Sequence, residues 1–284
     1  MTTETLAPTT CVVRNTAGRK GRTEAVTAGP VMRHLHYGRI ILDASDAAIR
    51  FETGDRETAL VCLRGTATIA TGDTRVTLDR YDAIYVPRDA AVEVAAGSGG
   101  CDVAEISAAV VGRHPVQVVR FVDIRQDPSL HVAAGGPTAK RDLNVLIGKN
   151  VQAGRILAGV TFSEPGNWTS WPPHEHAAML EEAYLYIDMP APAFGVQLLY
   201  TEAREPEVAT IVREGDIVLM PKGYHPNVAA PGGSINFLWM MAAHTEEKDR
   251  QYGVVNVHPD FAATPSGLDA ARARPAGRTE HAQK

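Results

Sequence analysis

Short runs of Val, Ile, Leu and Tyr alternate with Gly, Pro, Asp and Asn through most of the chain, as in Ala59–Leu63, Ala67–Ala70, Ala83–Val86, Val92–Ala95 and Val116–Val122. Runs of that length between turn residues predict many short antiparallel strands. No stretch longer than two turns keeps a helical period; the best candidate is 265–274, near the C-terminus. The pattern predicts an all-β sandwich or barrel.

Two segments echo each other: Tyr81–Arg88 (YDAIYVPR) and Gly215–Lys222 (GDIVLMPK) share an Asp, an apolar run, a Pro and a basic residue. In both, an Asp-containing turn feeds a strand that stops at Pro, which has no N–H for a sheet ladder. The chain reads as a duplicated β-unit. The join falls near Ser107–Pro115, giving a first unit over 1–112, a second over 113–262, and a loosely held tail over 263–284, rich in Ala, Arg, Pro and Gly.

Composition narrows the function. With 284 residues the chain can bury a full core, and its formal charge of −5 and pI near 6.1, with scattered Lys and Arg, leave no footprint for nucleic acid or an anionic membrane. Cys11, Cys62 and Cys101 are far apart and odd in number, so neither a disulfide framework nor a thiolate metal site is expected. The N-terminus has no export signal, and no run approaches the roughly 20 apolar residues of a membrane span. A cytoplasmic protein with a small-molecule partner is the expectation. Strand-rich two-barrel chains often associate, so a homo-oligomer is expected as well.

The chemistry concentrates in Trp171–Tyr186, WPPHEHAAMLEEAYLY, and in Gly215–Pro226, GDIVLMPKGYHP. On a strand, His174 and His176 point to one side and Glu175 to the other, so two imidazoles can grip one metal ion. After a short turn, Glu181 or Glu182 can return a carboxylate on the next strand. If Glu182 faces inward, Tyr184 and Tyr186 do too; if Glu181 does, Ala183, Leu185 and Ile187 line the cavity instead. A polar site favours Glu182, with Glu181 in reserve. His225, delivered by a turn in which Gly223 permits an unusual backbone conformation, is the fourth candidate. Three imidazoles and a carboxylate suit one divalent metal, and the ligand set alone does not choose among Zn, Mn, Fe, Co and Ni; Zn or Mn is the expectation. A second pair, His34 and His36, has no supporting carboxylate or later turn and reads as structural.

These residues resemble the two motifs of the cupin superfamily. Gly215, Pro221 and Gly223 match the second motif in spacing, His225 comes one residue early, and the spacing from the His pair to Glu182 is one residue longer than usual. More narrowly, EPGNWTSWPPHEH, LEEAYLY and VLMPKGYHPNVAAPG resemble the 5-deoxy-glucuronate isomerase (IolB) family of inositol catabolism. TGDRETALVCLRGTATI and YVPRD resemble its N-terminal half, so the likeness runs from about Thr53 to Phe261. A sister family, the 5-keto-4-deoxyuronate isomerases (KduI) of pectin breakdown, is similar to RDLNVLI and EAYLYIDMP, whereas GYHPNVAAPG favours the first.

The resemblance implies two tandem cupin barrels, a bicupin. It also implies a metal-dependent aldose–ketose isomerase that converts 5-deoxy-D-glucuronate to 2-deoxy-5-keto-D-gluconate. The alternatives are the sister reaction, a non-catalytic bicupin that binds a sugar acid, and metal-dependent oxygen chemistry in the same barrel. In the first unit the segment equivalent to the His225 turn, Pro87–Val94, has no His, and Arg50-Phe51-Glu52 supplies no His pair, so that barrel is expected to be metal-free. For proton transfer, Glu182, Tyr184 and Lys222 lead, with Glu181, Tyr186, Tyr200 and His244 behind them. For the substrate, Arg141, Tyr186, Gln197 and Tyr224 are the candidates, with Asn236 as a further donor. Trp171 and Trp239 are candidate walls.

Overall fold

The computed structural model describes residues 5–201 and 205–264. The candidate helix at 265–274 and nearly all of the expected tail lie outside the described residues. The architecture is all-β apart from short helical turns, two tandem barrels of the kind the resemblance implies. One sheet holds the first barrel, in the order Gly21–Val26, Leu35–Leu42, Ala91–Ala109, Arg56–Thr71, Ala83–Val86, Gln117–Val119. The second barrel has a large sheet, ordered Val12–Val13, Ile217–Met220, Leu180–Tyr186, Phe237–Ala243, Ile156–Ser163, Arg141–Ile147, His131–Ala134. A smaller sheet, Trp168–Thr169, Asn227–Ala229, Gly195–Leu199 and Val208–Val212, closes it.

Two sequence expectations are corrected. Ala59–Leu63 and Ala67–Ala70 belong to one strand, Arg56–Thr71, which continues through a bulge at Gly65. There φ is +65° and a Cβ would stand 2.1 Å from the Gly100 carbonyl oxygen, so only glycine fits. Val116–Val122 is a strand only over Gln117–Val119, because a helical turn over Phe121–Gln126 takes up its end.

The repeat seen in sequence extends into a reciprocal exchange of edge strands. Val12–Val13, at the start of the chain, pairs with Ile217–Met220 of the second barrel, and Gln117–Val119 pairs with Ala83–Val86 of the first. The two Asp residues of the repeat lock these exchanges. Asp82 accepts hydrogen bonds from Arg120 Nη1 (2.6 Å) and the Phe121 amide (2.8 Å), and Asp216 from Arg14 Nη1 (2.7 Å) and the Asn15 amide (3.1 Å). Sheet membership therefore crosses the expected boundary in both directions.

Back-to-back packing of the large sheets buries both faces of their central strands, which is why those strands read as apolar runs rather than as simple alternation. On Arg56–Thr71, Leu60 and Cys62 fill the first barrel, while Ala59, Val61 and Leu63 join a core cluster shared with the second. Leu180–Tyr186 is buried at every position. All three cysteines are buried and free. Among the described residues no helix is long and apolar enough to cross a membrane.

One glycine decides the shape of the second barrel's interior. A Cβ on Gly159 would lie 2.2 Å from Trp239 Cζ2 and 2.3 Å from the Asn144 carbonyl oxygen. Gly159→Ala must displace the Trp239 indole, so we expect a loss of about 1–3 kcal/mol of stability, the usual cost of overpacking. Urea unfolding of the variant checks this: the midpoint should fall while the slope is unchanged.

Candidate metal centre

The strand Leu180–Tyr186 runs between Ile217–Met220 and Phe237–Ala243, in the middle of the second barrel's large sheet. Its parity sends Glu182 and Tyr184 into a cavity of about 60 Å³. His174 and His176 come from the adjoining loop and the two-residue strand His174–Glu175; His225 follows the turn after Ile217–Met220. That turn depends on Gly223, where φ is +96° and a Cβ would sit 2.7 Å from the Tyr200 carbonyl oxygen.

His176, Glu182 and His225 are buried, and their candidate ligand atoms all lie within 4.8 Å of one another. His174 lines the same cavity, with its ring centroid 5.0 Å from that of His225 and 6.4 Å from that of His176. Each imidazole gives Nδ1 to a backbone carbonyl: His174 to Pro172 (2.9 Å), His176 to Leu180 (3.1 Å) and His225 to Gly223 (2.9 Å). A carbonyl only accepts, so Nδ1 carries the proton and a neutral ring turns the Nε2 lone pair inward. Backbone orientation of this kind accompanies metal-ligating histidines.

The inward lone pairs meet an anion. His176 Nε2 lies 2.9 Å and His225 Nε2 3.1 Å from the same oxygen, Oε2 of Glu182. His225 Nε2 is also buried without a hydrogen-bond partner. Lone pairs aimed at a carboxylate repel it unless a proton or a cation stands between them. Burial lowers the affinity of His176 for a proton, but the hydrogen bond and charge of Glu182 outweigh it and raise its pKa. Burial likewise favours a neutral Glu182, yet the two imidazoles hold its pKa down at about 2. Burial, helped by the neighbouring His225, pushes His174 down to about 3, so that its ring is neutral at ordinary pH. The donor set fits a divalent metal.

Glu181 faces the other way. Its carboxylate accepts the backbone amides of Arg33 (2.6 Å), His34 (2.7 Å) and Leu35 (2.6 Å) from the first barrel, which leaves Glu182 as the inward carboxylate.

The rest of the cavity is lined by Arg141, Leu143, Thr161, Ser170, Phe237 and Trp239, with Tyr252–Val255 over the top. Arg141 is buried and donates to the carbonyls of Ala139 and Trp171, both at 2.9 Å. Ser170, held at φ 50°, meets the Tyr184 hydroxyl at 2.7 Å. Burial raises the Tyr184 phenol well above its ordinary value, and the charge of Glu182 adds to the effect. Thr161 Oγ1 and Trp239 Nε1 are buried with no hydrogen-bond partner. Unpaired buried donors are costly, so a polyhydroxy ligand would gain by meeting them.

Several candidates stand elsewhere. Tyr186 donates to Gln197 Oε1 (2.5 Å), and Gln197 Nε2 donates to the His225 carbonyl (2.9 Å); the pair braces the backbone of His225 and does not line the cavity. Tyr224 packs its ring against Tyr200 and His258. Asn236 bonds the Ser163 amide and the Asp188 carbonyl. Lys222 is exposed and borders a separate crevice with Glu181 and His244. The structure therefore does not bring Lys222 to the cavity: it follows Pro221 at the strand's end, before Gly223 turns the chain inward.

Sequence reasoning missed Thr161, Ser170 and Tyr252. Thr161 is visible only through strand parity, and Ser170 only through its place beside the histidine loop. Tyr252 belongs to a segment without a motif, placed by pairing of Asn256–Val257 with His174–Glu175 and by stacking of its ring on Trp239 at 4.9 Å. The cavity of about 60 Å³ has room for only a few waters, and Tyr252–Val255 form part of its lining.

The KduI/IolB family model matches residues 12–261 of this chain. A 5-deoxy-glucuronate isomerase of Geobacillus kaustophilus is 32% identical over 216 residues, covering 70% of this chain and 76% of that protein. One of Bacillus subtilis strain 168 is 25% identical over 241 residues, covering 79% and 87%. Among solved structures, an IolB-like protein of Salmonella typhimurium LT2 superposes with a TM-score of 0.78 at 21% identity, over 89% of this chain and 98% of that one. Bacillus subtilis oxalate decarboxylase, studied for its Mn(II) centers, gives a TM-score of 0.62 at 13% identity, over 90% and 80%. These likenesses place the fold among the cupins, as two tandem barrels. The sequence match spans both barrels and every candidate ligand, and on that ground the chain belongs to the KduI/IolB family.

Proposed function

We propose that this protein is a metal-dependent aldose–ketose isomerase that converts 5-deoxy-D-glucuronate to 2-deoxy-5-keto-D-gluconate. The observation that carries the proposal is a buried His/Glu cluster sharing one cavity with a buried guanidinium. Relatives named for this reaction support the choice of substrate. His174, His176, Glu182 and His225 would hold one divalent ion. Mn is favoured by the Mn(II) centers of a structural neighbour, and Zn by the donor set.

The reaction removes the proton on the carbon beside the aldehyde and returns a proton to the former aldehyde carbon, while the hydroxyl proton moves to the carbonyl oxygen. A bound divalent cation supplies Lewis-acid stabilisation of the charge that develops on the two oxygens. The chain supplies the rest. Arg141 offers a permanent positive charge inside the cavity, where a substrate carboxylate would be anchored. Thr161 Oγ1 and Trp239 Nε1 would meet substrate hydroxyls. Both imidazole contacts fall on Oε2 of Glu182, so Oε1 is the oxygen through which this carboxylate would exchange a proton with the substrate. Tyr184, kept protonated and linked to Ser170, would donate to the substrate oxygen. Displacement of Tyr252–Val255 would admit the sugar, and its return would exclude water.

Elemental analysis of protein purified without chelator should find close to one equivalent of metal per chain, lost in His176→Ala and His225→Ala and retained in Lys222→Ala. Two tightly held equivalents would contradict a single site in the second barrel. In an NMR assay, metal-loaded protein should turn over 5-deoxy-D-glucuronate and lose that activity with chelator. Tyr184→Phe should lower kcat by about 10²–10⁴-fold with little change in KM, as for loss of a proton-transfer group. Arg141→Met should act mainly on KM, by about 10–100-fold, as for loss of a charge-assisted bond. Turnover of 5-keto-4-deoxyuronate instead would move the assignment to the sister reaction, and turnover of neither would remove it.

A further inference from the structure

The reciprocal architecture contains a second pair of equivalent acids. Glu57 is buried in the first barrel and accepts the backbone amides of Gly154 (2.7 Å), Arg155 (2.6 Å) and Ile156 (2.8 Å) from the second. Glu181 does the same in reverse, on Arg33, His34 and Leu35. The registers show that the two are counterparts. Glu57 and Leu35 both pair with Ala108, and Glu181 and Ile156 both pair with Ala242. Each barrel therefore grips three consecutive amides at the start of a central strand of the other.

The residues that follow differ. By register, Thr58 pairs with Val86, before Pro87, and Glu182 pairs with Met220, before Pro221. Thr58 is thus the counterpart of Glu182, and Ala91, four residues after Pro87, that of His225. One grip abuts a metal ligand and the other abuts a threonine. The molecule carries its own internal control.

We propose that Glu181 is a positioning residue through which the first barrel orients the Glu182 carboxylate; this rests on the metal-site reading above. Adjacent side chains on a strand point to opposite faces, so fixing Glu181 at three points fixes the rotation of the strand about its axis and hence the aim of Glu182. The same grip occupies the Glu181 carboxylate and withholds it from the cavity. Retention of the first barrel is then explained by what it holds in place.

The test uses Co²⁺ as the probe on the full chain, with Glu57→Gln as the matched control. Both Glu57→Gln and Glu181→Gln should lower Tm, because each places an amide group among backbone donors. Only Glu181→Gln should also weaken Co²⁺ binding, by about 10–100-fold as for other residues that orient a ligand, and alter the visible absorption of the bound ion. Unchanged affinity and spectrum in Glu181→Gln, or equal loss in both variants, would overturn the proposal. Failure of the wild-type chain to bind Co²⁺ would instead overturn the metal reading. If Glu181→Gln does not fold, amide hydrogen exchange of the wild type decides. Metal loading should protect Arg33, His34 and Leu35 more than Gly154, Arg155 and Ile156, and equal protection would overturn the proposal.

Discussion

The second barrel is organised around one electrostatic constraint, a buried carboxylate oxygen approached by two imidazole nitrogens whose protons are committed to backbone carbonyls. Glu182 Oε2 stands 2.9 Å from His176 Nε2 and 3.1 Å from His225 Nε2, and all three side chains are buried. In such surroundings the interaction is strong, and its sign depends on what lies between the atoms. A proton can satisfy one imidazole at a time, whereas a divalent cation satisfies all of them together. The buried guanidinium of Arg141 and the unpaired donors of Thr161 and Trp239 line the same cavity.

The constraint explains why the chain keeps two barrels although the candidate ligands sit in one. Metal ligands on strands are only as well placed as the strands themselves. Here the edge strands are exchanged between units, Asp82 and Asp216 lock the exchanges, and Glu57 and Glu181 bind each unit to the other's backbone. Counterpart positions carry Thr58 and Ala91 in the first barrel, neither an imidazole nor a carboxylate.

Much of this was legible in the sequence. Period-two reasoning assigned Glu182 inward, and the Pro-Lys-Gly-Tyr turn pointed to His225, because strand parity and glycine geometry are local rules. The repeat YDAIYVPR/GDIVLMPK gave the duplication but not the exchange of edge strands, since nothing local states which sheet an edge strand joins. Parity also brought Tyr186 inward, where it braces the backbone of His225 through Gln197; alternation gives the face of a residue and not its depth. Lys222 was misleading for a similar reason, being one residue from a conformationally decisive turn yet on its outer side. Tyr252 was invisible because its place depends on a two-residue pairing of Asn256–Val257 with His174–Glu175, far apart in sequence.

The central claim is that one divalent cation lies among His174, His176, Glu182 and His225. The most direct measurement is an anomalous difference map from crystals grown with Mn²⁺ or Zn²⁺, collected at the absorption edge of the added metal. The account predicts one peak per chain, bound by Nε2 of the three histidines and an oxygen of Glu182 at roughly 2.0–2.2 Å. A peak bound by Glu181 or lying in the first barrel, or none at the four residues, would contradict it.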